Sequence, residues 1–132
     1  MATRNVYNLM VGEDEEIERQ AIQLLVKRDL PNVRLVGTAA ATTELLVRMH
    51  VAQPQLLILD SHLPGNSLMT MLNLLLSQHP TLKIIILADY DEEALMGYCI
   101  RFGAFAYLIK PVQPARLLTV LKRAVVVLEN PI

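Results

Sequence analysis

The chain has no tryptophan and only one cysteine, Cys99, and aromatic residues make up 5% of its 132 positions. A single cysteine excludes an internal disulfide and fits a reducing compartment, and Cys99 reads as a small apolar residue on a helix rather than a nucleophile. Few aromatics argue against a stacking groove. The 53% hydrophobic content is mostly aliphatic, which favours a Leu, Ile and Val core around a sheet covered on both faces. Concentrated positive charge is also missing. The net charge is -1 and only Lys27-Arg28 and Lys122-Arg123 are adjacent basic pairs, so there is no electrostatic footprint for nucleic acid. No stretch reaches the roughly 18 apolar residues of a membrane span, and residues 1–12 lack the apolar run of a signal peptide. The expectation is one cytoplasmic domain over residues 1–132, with a core of about 5–128, no membrane association and no DNA binding of its own.

The stretch Q-P-Q-L-L-I-L-D-S-H-L-P-G-N-S, residues 53–67, is the most informative. Its aliphatic run, residues 56–59, suits a parallel strand buried on both faces, and Asp60 stands at the carboxyl end. Ligands of open α/β sheets bind outside such ends. A turn or helix-cap aspartate is the plain alternative. Around this strand, runs of period 2 alternate with runs of period 3.6. Strands are expected at residues 6–11, 33–37, 56–59, 82–88 and 105–109, with helices from Ile17, over 43–51, 68–79 and 92–102, and from Pro114. The first helix is expected to turn residues 17, 21, 24 and 25 inward. The third is so rich in Met and Leu that some of Met69, Met71, Leu72, Leu74, Leu75 and Leu76 are expected in solvent or an interface. Five strands strictly alternating with five helices predict an α/β fold, a parallel sheet with helices on both faces.

Four strands deliver a notable residue to one rim: Glu13 and Asp14, Asp60, Ala88 with Asp89, and Lys110. Converging carboxylates repel and raise one another's pKa unless a cation and the lysine offset them. Oxygen donors without a Cys and His cluster suit magnesium rather than zinc. With a metal and an ammonium beside it, a carboxylate can act as a nucleophile toward a phosphoryl group, and Asp60 is placed for that role.

Three segments resemble the CheY-like receiver domains of bacterial two-component response regulators, over residues 5–128: V-G-E-D-E-E-I-E-R-Q-A-I, L-L-I-L-D-S-H-L-P-G and R-F-G-A-F-A-Y-L-I-K-P. The resemblance implies a flavodoxin-like (βα)5 fold with strand order 2-1-3-4-5. By position, Glu13 and Asp14 are similar to the metal-binding acidic pair, Asp60 to the phosphoacceptor and Lys110 to the phosphate-contacting lysine. His62 falls where the family donates a backbone carbonyl to the metal, so its imidazole reads as a solvent-facing loop side chain. Tyr107 matches the aromatic switch position, and Lys110-Pro111 is implied to be cis. A sensor histidine kinase as phosphodonor, magnesium as cofactor and a possible homodimer are implied as well. The start and the ending look most like receivers of AraC-type regulators, whose DNA-binding output domain is not expected within these residues.

Two departures stand out: Ala88 where the family has Thr or Ser, and Ser67-Leu68 where it commonly has Asp-Gly. Ala88 keeps a second reading open, a degenerate pseudo-receiver serving as an interaction or dimerisation module without a working phospho-switch. A dehalogenase-like phosphatase would need a second Asp where His62 stands. A flavodoxin-like cofactor protein would need a phosphate loop where Gly-Glu-Asp-Glu-Glu would repel phosphate. On this reading the chain is a signalling domain and not an enzyme beyond its own phosphorylation and dephosphorylation.

Overall fold

The computed structural model describes residues 5–89 and 93–130. Its elements run β1 (Tyr7–Gly12), α1 (Glu16–Asp29), β2 (Val33–Ala39), α2 (Thr42–Ala52), β3 (Leu56–Asp60), α3 (Leu68–Gln78), β4 (Lys83–Ala88), α4 (Glu93–Arg101), β5 (Ala106–Ile109) and α5 (Pro114–Glu129). All strand pairs are parallel, in the order β2-β1-β3-β4-β5. This is the flavodoxin-like arrangement the resemblance implies. The expected start of the fourth helix at Glu92, like Tyr90 and Asp91 before it, lies outside the described residues.

Every residue of β3 is buried, which its uninterrupted aliphatic run requires. Strand alternation divides these side chains between two cores. Leu56 and Ile58 join Leu9, Val11, Ile85, Leu87 and Leu108 against α1 and α5, while Leu57 and Leu59 join Met10, Ile84, Ile86, Ala88 and Tyr107 against α2, α3 and α4. Each fully buried aliphatic side chain contributes about 1.5 to 3 kcal/mol. Continuing the alternation past the strand ends puts Glu13, Asp60 and Lys110 in phase with the side that α1 and α5 cover.

The burial of α1 departs from expectation. Ile22, Leu25 and Val26 are its buried residues, whereas Ile17 is 82% exposed, Leu24 is 68% exposed and Ala21 is exposed. Apolar residues lie on more than one side of this helix, and only the packed partner selects the face. The same rotation turns Glu18, one turn before Ile22, toward the strand ends. On α3 no apolar residue is exposed. Met71, Leu72 and Leu75 are buried and Leu68, Met69, Leu74 and Leu76 are half-buried, because neighbouring segments cover the flanks. Leu76 lies under the turn at Gly103, where a Cβ would come within 2.9 Å of its Cδ1. The second strand runs past Gly37 to Ala39, since Gly37 leaves room for the Met10 side chain beside it. Ser67 caps α3, accepting from the Thr70 N–H at 3.2 Å.

Candidate functional site

Glu13 follows β1 and Asp60 ends β3, and both are buried, at 1% and 4% exposure, in a fold that rarely buries charge. Asp14 beside them is exposed. One carboxylate oxygen from each of Glu13, Asp14 and Asp60 lies within 4.8 Å of the others, an all-oxygen donor set of the kind magnesium takes. Lys110 follows β5, and its ammonium reaches Asp60 Oδ1 at 2.7 Å, Glu18 Oε2 at 2.7 Å and Glu13 Oε2 at 3.3 Å. The Lys110-Pro111 bond is cis, as the resemblance implies. The contacts to Glu13 and Glu18 have hydrogen-bond geometry. That to Asp60 is an ion pair outside hydrogen-bonding angles, and Asp60 Oδ1 is a buried oxygen without a donor. A buried, negatively charged oxygen left without a donor, beside two further carboxylates, fits a hard cation.

The electrostatics follow from this crowding. Burial, opposed by the Glu15 backbone N–H and Lys110 and aided by the Asp60 and Glu18 charges, leaves the Glu13 carboxyl raised to about 7. Burial alone would lower the Lys110 ammonium, but its contacts with Asp60 and Glu18 and the nearby charge of Glu13 more than offset this and hold it well above the usual lysine range.

The loop after β3 is pinned to its surroundings. Ser61 N–H donates to Leu87 O at 2.9 Å, Thr42 N–H to Pro64 O at 2.8 Å, and Asn66 N–H to Thr42 Oγ1 at 2.9 Å. His62 is exposed and lies 2.8 Å from Asp89 Oδ2 through Nδ1, at the outer edge of the site. Ala88 and Tyr107 are buried in the same cluster on the α2, α3 and α4 side. Cys99 is fully buried there too, and burial pushes its thiol up, as suits a packing residue. The contact that sequence reasoning missed is Glu18. Once packing turns positions 22 and 25 inward, Glu18, one turn before Ile22, meets the rim, a rotation that the helix's own sequence does not fix.

Fold and site together define a receiver domain. The chain belongs to the response regulator receiver domain family, whose match spans residues 9–122, and is therefore a response regulator receiver of the two-component type. It is 30% identical over 110 residues to the DNA-binding transcriptional activator DevR/DosR of Mycobacterium tuberculosis, covering 83% of this chain and 50% of that protein. It is 29% identical over 115 residues to the transcriptional regulatory protein BtsR of Salmonella typhimurium, covering 87% and 46%. The chain thus spans about half the length of these curated relatives. Among solved structures, a response regulator receiver domain protein from Clostridium thermocellum superposes with a TM-score of 0.86 at 25% identity, covering 96% of this chain and 100% of that one. The isolated receiver domain of RcsB from Salmonella enterica, solved with phosphomimetic BeF3-, gives a TM-score of 0.84 at 21% identity over 89% and 87% and supports the fold. No helix among the described residues is long and apolar enough to cross a membrane.

Proposed function

We propose that Asp60 accepts a phosphoryl group from a sensor histidine kinase and so serves as the input of a response regulator. The observation that carries this reading is the Lys110 ammonium 2.7 Å from Asp60, among the carboxylates of Glu13 and Asp14. An Asp60 oxygen attacks phosphorus, the new P–O bond gives an acyl phosphate, and the P–N bond to the donor's imidazole breaks as that ring takes a proton. Lys110 offsets charge on the transferred group. Glu13, Asp14, Asp60 and the His62 backbone carbonyl would hold magnesium, which when bound supplies the remaining positive charge. The surrounding protein would be a cytoplasmic transcriptional regulator whose DNA-binding output lies beyond this domain, in keeping with the longer relatives; homodimerisation would be its readout. With a small phosphodonor and magnesium, intact-mass analysis is expected to show the gain of one phosphoryl group in the unaltered protein and none in Asp60→Asn. Labelling of the Asn variant, or labelling that survives removal of magnesium, would refute the assignment.

The pseudo-receiver reading rests on Ala88. A hydrogen bond to a charged group contributes about 1.5 to 3 kcal/mol, comparable with the gap of a few kcal/mol between two conformational states. Alanine offers no such bond to a phosphoryl oxygen, so phosphorylation is expected to proceed while shifting the active population much less. Ala88→Thr is expected to enlarge the phosphorylation-induced change in dimerisation or amide resonances. An equal response in both proteins would mean that this switch does without the hydroxyl.

A further inference from the structure

Lys110 carries three N–H donors, and three carboxylates compete for them. Its two bonds of proper geometry go to Glu13 and Glu18, while Asp60 has proximity without alignment. Glu18 is the shorter of the two bonds, 2.7 Å against 3.3 Å, and it comes from a helix fixed in place by Ile22, Leu25 and Val26. We propose that Glu18 is a positioning residue that competes with the phosphoryl group for Lys110 and thereby sets the anion affinity of the acceptor site. The inference rests on the reading of Asp60 as phosphoacceptor.

A phosphoryl group brings nearly two negative charges, and Lys110 must turn a donor toward it. Of its present partners, Glu18 has the most exposed side chain, at 38% against 1% for Glu13 and 4% for Asp60. Water can replace a Glu18 contact most readily, so Glu18 is the partner released. Until that release, its charge repels an incoming anion and occupies one of the ammonium's N–H groups. Unlike the acidic pair, Glu18 lies outside the cluster of oxygens suited to a cation, so removing its charge leaves that donor set intact.

Beryllofluoride, a phosphoryl mimic that binds without a covalent step, separates affinity from chemistry. Its binding in the presence of magnesium would be followed through amide resonances in the unaltered protein, Glu18→Gln, Glu18→Asp and Glu16→Gln. Glu16 is exposed on the same helix turn and bonds to Gln20. Glu18→Gln is expected to bind roughly fivefold more tightly or better, since a like charge near the anion is removed. Glu18→Asp should fall between it and the unaltered protein, because the shorter side chain keeps its charge but loses reach. Glu16→Gln should stay within about twofold of the unaltered protein, its charge being screened by solvent. Equal affinity in the unaltered protein and Glu18→Gln would overturn the inference and leave the phosphoacceptor reading standing, as would an equal gain in Glu16→Gln. Absence of binding in all four proteins would overturn that reading and this inference with it.

Discussion

Lys110→Ala is expected to destabilise the metal-free protein by about 3 kcal/mol at pH 8 and by roughly half of that at pH 5, because it leaves buried carboxylates without their cation. The pH dependence comes from Glu13, raised to about 7 from the 4.5 of an ordinary glutamate, chiefly by burial. Below pH 4.5 this group is protonated in both the folded and unfolded chain. Between 4.5 and 7 the folded chain holds a proton that the unfolded chain releases, so stability falls as pH rises through this window, by about 3 kcal/mol in total. Lys110 is raised above the usual lysine range, so its own contribution is fully present at both pH values and is lost only at much higher pH. Removing it takes away the charge that pulls Glu13 down, and the penalty is felt where Glu13 would ionise. At pH 5 a protonated Glu13 already relieves the repulsion. Millimolar magnesium should restore much of the loss at pH 8, since a divalent cation replaces the ammonium's charge. Urea midpoints measured at both pH values, with magnesium and with a chelator, would check this. The same loss at both pH values and no recovery with magnesium would show that Lys110 matters only through packing.

Gly65→Ala is expected to cost about 3 kcal/mol, large for a change of one methyl group on an exposed loop. Gly65 has φ of 120°, a conformation that side-chain-bearing residues rarely adopt. A Cβ there would overlap Thr42 Oγ1, the atom that accepts from Asn66 N–H, and would lie 3.2 Å from Thr42 Cβ. Relief requires pulling the loop away from the start of α2, which breaks the bonds from Thr42 N–H to Pro64 O and from Asn66 N–H to Thr42 Oγ1. Thr42 is 1% exposed, so parting the two segments leaves polar groups short of partners. Denaturant unfolding measures the effect, and a loss below about 1 kcal/mol would show that the loop yields without breaking these bonds.

The residues at the strand ends were legible because a short, largely apolar run of strand character precedes each, and a parallel sheet sends all such ends to one rim. Glu13, Asp14, Asp60 and Lys110 are therefore expected together at one rim, where the structure has them. The order of the strands was not readable from periodicity and came with the resemblance of three segments to receivers. Facing direction was a different matter. A wholly apolar strand has no polar side to mark which residues meet which helix, so only the register of five paired strands put Glu13, Asp60 and Lys110 in phase on the α1 side. On α1 itself, Ile17, Ala21 and Leu24 offer one apolar stripe, and Ile22, Leu25 and Val26 a second. Local sequence cannot choose between two faces of similar hydrophobicity; burial against β1 and α5 does, because that choice covers the larger core. The chosen rotation brings Glu18 to Lys110, a contact 92 residues apart in sequence. The raised pKa of Glu13 was likewise decided by tertiary structure, since it depends on how much water the surrounding elements exclude and on three charges brought in from α1, β3 and the end of β5.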